Sequence, residues 1–268
     1  TPAIEMMNAM GFGADGLGNH NFDVSEAYMR GTIAPLANFP FLSSNVVDAA
    51  GNTPAEWQKS KLFRFGGNLD LALIGFTNDD AKQLTRPTAW GPFVIPNSTD
   101  SVNAEISTYL DSRGKRKRAE VIVAMGHLGA TAGSLTAPTG PAVDLADASG
   151  ISRLDAVVAD HTDQQALSFR PNGVLLTENR SKGLRFTRLR LVADTSQNKV
   201  VYKTADFHRP WAIGVTADPA IQARINELNA ELAPILGTQI GTSSVAVPRA
   251  DKCGRPDGRL CESRVGNL

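Results

Sequence analysis

Four histidines occur in the 268 residues, and His20, His127 and His161 stand in Gly-rich turns or directly after strand-like runs. Open α/β sheets keep their ligands in loops of that kind, at the carboxyl ends of strands. The first, Gly18-Asn19-His20-Asn21-Phe22-Asp23, puts an amide oxygen, an imidazole and a carboxylate on one tight turn. Asn19 offers a carbonyl oxygen to a metal. His20 can act on phosphate oxygens once a carboxylate fixes its tautomer, and Asp23 is near enough in sequence to do so. The second is the apolar run 121–125 leading into Gly126-His127-Leu128-Gly129. The third is Asp160-His161-Thr162-Asp163, where His161 and Asp163 share one side of an extended loop, an arrangement suited to two metals side by side.

Elements must present these loops. Apolar, β-rich runs at 41–46, 69–76, 120–125, 155–158, 173–177, 185–192 and 200–205 read as strands. Helical patterns span 2–11, 25–37, 98–113 and 219–236. Such alternation predicts an α/β protein. The last helix has the clearest ends: Asp218 to cap it, Pro219 in its first turn, Gly237 to stop it. The sequence changes character beyond it, which sets domains at 1–217 and 238–268 joined by a linker helix, 218–237.

Lys plus Arg is 27 and Asp plus Glu is 27, a net charge of zero, which speaks against a nucleic-acid coat. The basic run Arg113–Arg118 has no interleaved aromatic and reads as a solvated connection; a nucleic-acid module built on it would bind with steep salt dependence and without metal. Trp57, Trp90 and Trp211 read as packing residues. No apolar run reaches the ~18 residues of a membrane span. Cys253 and Cys261, the only cysteines, flank a Gly/Pro/Asp-rich turn. They are expected to form a disulfide, which places the protein in an oxidising, extracytoplasmic compartment.

In that order the motifs Gly-Asn-His-x-x-Asp, Gly-His-x-Gly and Asp-His-Thr-Asp resemble those of the calcineurin-like metallophosphoesterases. Phe-Leu-Ser-Ser-Asn-Val at 41–46 and the tail Cys-Glu-Ser-Arg-Val-Gly-Asn-Leu are similar to the 5′-nucleotidase branch. The resemblance implies a four-layer αββα sandwich of two mixed β-sheets. It implies hydrolysis of 5′-nucleotides or related phosphoesters by a two-metal-activated water, on a small-molecule substrate and not on nucleic acid. Asn19, His127 and His161 would bind one divalent cation and Asp163 a second, with Mn, Zn, Fe and Mg not distinguished. His20 would stabilise the transferring phosphoryl group with Asp23 holding it, and Arg259, assisted by Arg255, would meet the substrate phosphate. The family's N-terminal Asp-x-His and Gly-Asp motifs are absent, and the one Asp-x-His, Asp206-Phe207-His208, reads as a strand-end polar cluster. The chain is therefore expected to be the middle of a longer protein, binding at most one metal and showing little activity alone. The competing expectation is a non-catalytic relative kept for binding.

Overall fold

The computed structural model describes residues 1–244. Cys253, Arg255, Arg259 and Cys261 lie outside the described residues. The chain divides into two compact units, Thr1–Thr216 and Ala217–Leu268.

The first unit opens with helix α1 (Pro2–Ala9), strand β1 (Asp15–Gly16) and a 3₁₀ turn, Asn19–Phe22. A helical stretch follows as α2 (Glu26–Tyr28), a π turn Met29–Ile33 and α3 (Ala34–Leu36), capped by the Ser25 hydroxyl, which accepts from Tyr28 N. Then come β2 (Phe41–Leu42), β3 (Trp57–Gln58), β4 (Ser60–Arg64), β5 (Asp70–Thr77), α4 (Ser98–Thr108) and β6 (Val121–His127). A small ribbon, β7 (Ala132–Gly133) with β8 (Pro138–Thr139), precedes α5 (Pro141–Asp147). The remainder is β9 (Ala156–Ala159), β10 (Ala166–Phe169), β11 (Leu175–Glu178), β12 (Phe186–Asp194) and β13 (Lys199–His208).

These strands make a mixed α/β architecture. A six-stranded sheet runs β10-β11-β9-β6-β5-β4, and a three-stranded parallel sheet runs β1-β2-β3. β12 and β13 form a long antiparallel ribbon. Within the large sheet β5, β6, β9 and β11 are mutually parallel, so Thr77, His127, Ala159 and Glu178 end on the same edge.

The apolar runs behave as centre strands buried on both faces. Ile122 and Ala124 of β6 face α4 and α5, packing with Ile74, Phe76, Val102, Ile106 and Leu145. Val121 and Val123, one residue out of phase, face the ribbon and pack with Leu189, Leu191 and Val200. Each large side chain so enclosed contributes ~1.5–3 kcal/mol relative to exposure. A third cluster lies under the first histidine loop, where Phe22 stacks on Trp90 with ring centroids 3.8 Å apart and Trp57 meets Phe22 edge-on.

Several expectations shift in detail. The run 41–46 is strand only at Phe41–Leu42, because Ser43 and Asn45 turn their side chains into a buried polar knot. The helix expected to reach Arg113 stops at Thr108, where the chain turns back so that Leu110 bridges Arg116. β1, β3, β4, β7, β8, β10 and α5 lie outside the runs read as strands and helices. α5 sits in a Pro/Gly-rich stretch, and Pro141 is tolerated there because it occupies the first turn. Trp211 is exposed, with Arg209 over its ring. The basic run is only partly solvated: Arg116 reaches inward to Asp155 at 2.8 Å, and Arg118 lies over the Tyr109 ring.

The second unit shows one described helix, α6 (Pro219–Leu236). The Asp218 carboxylate accepts from Ala220 N and Ile221 N, satisfying two of the donors a helix start leaves open. No strand forms over residues 238–244.

Candidate functional site

The first loop is held from below. Ser43, Asn45 and Thr77 are all fully buried. Asn45 accepts from Thr77 N at 2.8 Å and donates to the carbonyls of Thr77 and Pro96. The Thr77 hydroxyl donates to Leu17 O at 2.7 Å. This knot ties the segment entering Gly18-Asn19-His20 to the end of β5. Gly18 then lies flat against the His127 ring: a Cβ there would fall 2.6 Å from Cγ and Cδ2 of His127, so only glycine allows the two loops to meet.

His127 is the last residue of β6. Its Nδ1 lies 3.0 Å from Asp160 Oδ2, and its Nε2 lies 3.0 Å from His161 Nδ1. His161 adopts a positive φ of 87°, a strained setting for a residue with a Cβ and one that turns its ring toward His127. His20 stands edge-on to His127 with centroids 6.4 Å apart, and its Nδ1 is 2.8 Å from Asp23 Oδ2. Asn19 is buried, and its Oδ1 has no hydrogen-bond partner. A buried acceptor without a donor is costly unless something meets it.

Charge follows geometry. The hydrogen bond from His127 holds the Asp160 carboxyl below its usual range against the opposing effect of burial. Burial, then the neighbouring His127 charge, pushes His161 down, favouring the neutral imidazole a metal needs. Asp15, at the start of β1, is raised to about 6 chiefly by burial, with the Asp160 charge adding to it. A cavity of about 410 Å³ brings Asp15, His127, Asp160 and Arg180 onto one surface.

The structure brings His20, His127 and His161 together, with Asp23 holding His20 and Asn19 buried on the turn between Gly18 and His20. Asp163 is placed by other contacts. Asp163 sits at a positive φ of 59°, accepts from Ser181 N at 2.7 Å, and lines a different cavity with Gln164, Gln165 and Arg180. Asp206 is engaged by Arg188 at 3.0 Å and by His208, whose ring stacks on Phe186. Reading the sequence missed Asp160 and Asp15. Asp160 carries a legible signal, a carboxylate directly before a loop histidine. Asp15 carries none, since its proximity arises only when β1 packs beside the end of β6.

His127 Nε2 and His161 Nδ1, 3.0 Å apart, can meet one divalent cation, and Asn19, on the turn whose Gly18 packs against the His127 ring, carries an unpartnered amide oxygen. An orphaned amide oxygen and two imidazole nitrogens form a borderline donor set, with the His127 tautomer fixed by a carboxylate behind it. Among the described residues no group of three or more His, Cys, Asp and Glu side chains is placed to hold a metal, so this set depends on the amide oxygen.

No family profile matches the chain. It is 28% identical over 167 residues to the trifunctional nucleotide phosphoesterase YfkN of Bacillus subtilis, a stretch covering 60% of this chain and 11% of that protein. It is 26% identical over 172 residues to the 5′-nucleotidase of Vibrio cholerae, covering 64% of this chain and 30% of the relative. The chain therefore spans a minor part of the curated relatives it matches. Among solved structures, the 5′-nucleotidase precursor of Thermus thermophilus superposes with a TM-score of 0.72 at 17% identity, over 93% of this chain and 49% of that one. The calcineurin-like phosphoesterase YfkN of Bacillus subtilis gives 0.69 at 20% identity, over 88% and 75%. The chain is thus similar in sequence to 5′-nucleotidases and a nucleotide phosphoesterase, and shares the fold of the 5′-nucleotidase precursor and the calcineurin-like phosphoesterase.

Proposed function

We propose that the chain supplies the metal-binding histidines of a phosphoester hydrolase acting on 5′-nucleotides or related small phosphate compounds. The observation that carries this reading is the facing pair, His127 Nε2 and His161 Nδ1 at 3.0 Å, together with the unpartnered oxygen of Asn19 on the turn that packs against His127. These residues would hold a divalent cation, which would polarise phosphoryl oxygens and lower the pKa of water from ~15.7 toward ~7.

The chain's own residues do the rest. Asp160 accepts the His127 Nδ1 proton, which leaves the Nε2 lone pair for coordination. Asp23 fixes His20 through Nδ1, so Nε2 is the nitrogen His20 presents to the exposed side. A donor there strengthens its hydrogen bond as negative charge develops on a phosphoryl oxygen. In this reading Asp163 serves a second cation, with Oδ1 already committed to Ser181 N. Arg255 and Arg259 meet the substrate phosphate, and a Cys253–Cys261 disulfide places the protein outside the cytoplasm.

The test measures zinc or manganese binding by calorimetry and phosphate release from adenosine 5′-monophosphate. Asn19→Ala, His127→Ala and His161→Ala should each abolish binding and release together. His20→Asn should keep the cation and lower kcat by about 10²–10⁴. A wild-type protein that binds no cation overturns the reading.

A further inference from the structure

Glu178 ends β11 with 1% of its surface exposed, between the two loops that follow the paired histidines. Ala130 N, three residues after His127, donates to Oε2 at 2.7 Å. Thr162 N, one residue after His161, donates to Oε1 at 3.3 Å. The Thr162 hydroxyl lies 2.6 Å from Oε1 and also within hydrogen-bond reach of the Ala130 carbonyl. Gly129 completes the enclosure: a Cβ there would fall 2.4 Å from Thr162 Oγ1 and 2.7 Å from Oε1.

The proton count decides the state of this cluster. A threonine hydroxyl has one proton, whereas an ionised carboxylate and a carbonyl are both pure acceptors. With Glu178 ionised, one of the two contacts made by Thr162 Oγ1 would set lone pair against lone pair. A proton on Oε1 removes the conflict. Glu178 then donates to Thr162 Oγ1, Thr162 donates to Ala130 O, and Ala130 N returns to Oε2, closing a ring. Among the described residues no hydrogen bond or ion pair links Glu178 to a basic side chain, and the charged group that acts on it is Asp160, of like sign. Burial accordingly pushes the Glu178 carboxyl up to about 7.

We infer that Glu178 is a positioning residue, a neutral carboxylic acid that fixes the His127 loop against the His161 loop through a closed ring of hydrogen bonds. Its purpose rests on the metal site proposed above; its geometry does not.

Gln is the discriminating variant. Its amide nitrogen can donate to Thr162 Oγ1 and its oxygen can accept from Ala130 N, so Glu178→Gln keeps the ring and gives up only the long bond from Thr162 N. The full chain is compared as wild type, Glu178→Gln and Glu178→Ala, reading the ¹H–¹⁵N imidazole resonances without metal and zinc affinity by calorimetry. Glu178→Gln should leave the His127 and His161 resonances in place and zinc affinity within a few-fold. Glu178→Ala should shift both imidazoles and weaken zinc about 10–100-fold. Glu178→Gln as damaging as Glu178→Ala overturns the neutral acid. Glu178→Ala with both imidazoles unmoved overturns the positioning role. Should Glu178→Ala not fold, Thr162→Val against Thr162→Ser reads the same ring, with Ser expected to keep it and equal spectra for the two overturning it. A wild type that binds no zinc defeats the metal site, while the imidazole spectra still decide the role of Glu178.

Discussion

An imidazole has two nitrogens, and His127 commits one of them to Asp160. Deleting that carboxylate frees the ring to turn and to take the wrong tautomer. Asp160→Ala should therefore weaken zinc by about 10–100-fold while leaving the circular dichroism spectrum unchanged. Asp15 carries a different consequence. Its folded-state pKa of about 6 is raised above the ordinary 3.8, so the native state holds the proton more tightly than the unfolded chain does. Such a group contributes its stability below the unfolded value and loses it as pH rises through the folded one. Asp15→Asn, which never ionises, should gain about 3 kcal/mol over wild type at pH 8 and about half of that at pH 5. Chemical denaturation at the two pH values checks the sign.

The elements were legible where the physics is local. The 219–236 helix carries its own cap and stop, and the buried runs of β5, β6, β9 and β11 are too apolar to lie anywhere but inside. The site loops were legible for the same reason, as Gly-flanked histidines after those runs. What sequence hid was pairing across distance. Ser43 and Asn45 look like strand residues in Phe-Leu-Ser-Ser-Asn-Val, yet they close a knot with Thr77, 32 residues on from Asn45. Glu178 looks like any carboxylate at a strand end until two loops fold over it. Asn45→Ala would strand the Thr77 amide and two carbonyls in a dry interior. It should cost about 3 kcal/mol in urea denaturation and loosen the Gly18–His20 loop, seen as faster amide exchange there.

For the chain as a whole, a ligand that binds the native state alone raises its stability by mass action. Zinc at about 100 times its dissociation constant should add about 2.7 kcal/mol and raise Tm. The same zinc should leave the Tm of His161→Ala where it was. A shift of equal size in both proteins would mean the cation sits elsewhere. The basic run shows how composition can mislead at this scale. Its six residues suggest a phosphate grip, yet Arg116 is spent on Asp155, whose other oxygen lies near Lys203, at a distance from the histidines along the sheet.

The β12–β13 ribbon turns Phe186, Arg188, Arg190 and Val192 outward, with Val201 and Tyr202 exposed on the partner strand. Apolar side chains on an exposed ribbon invite a second ribbon to stack or pair; Arg188 is paired with Asp206, and the cation left to discourage it on this face is Arg190. The protection is electrostatic, so it shortens with the Debye length, from about 10 Å at 0.1 M salt to about 3 Å at 1 M. Colloidal stability of this protein should thus fall with added salt, and light scattering across a sodium chloride series would show self-association beginning while the secondary structure is still intact.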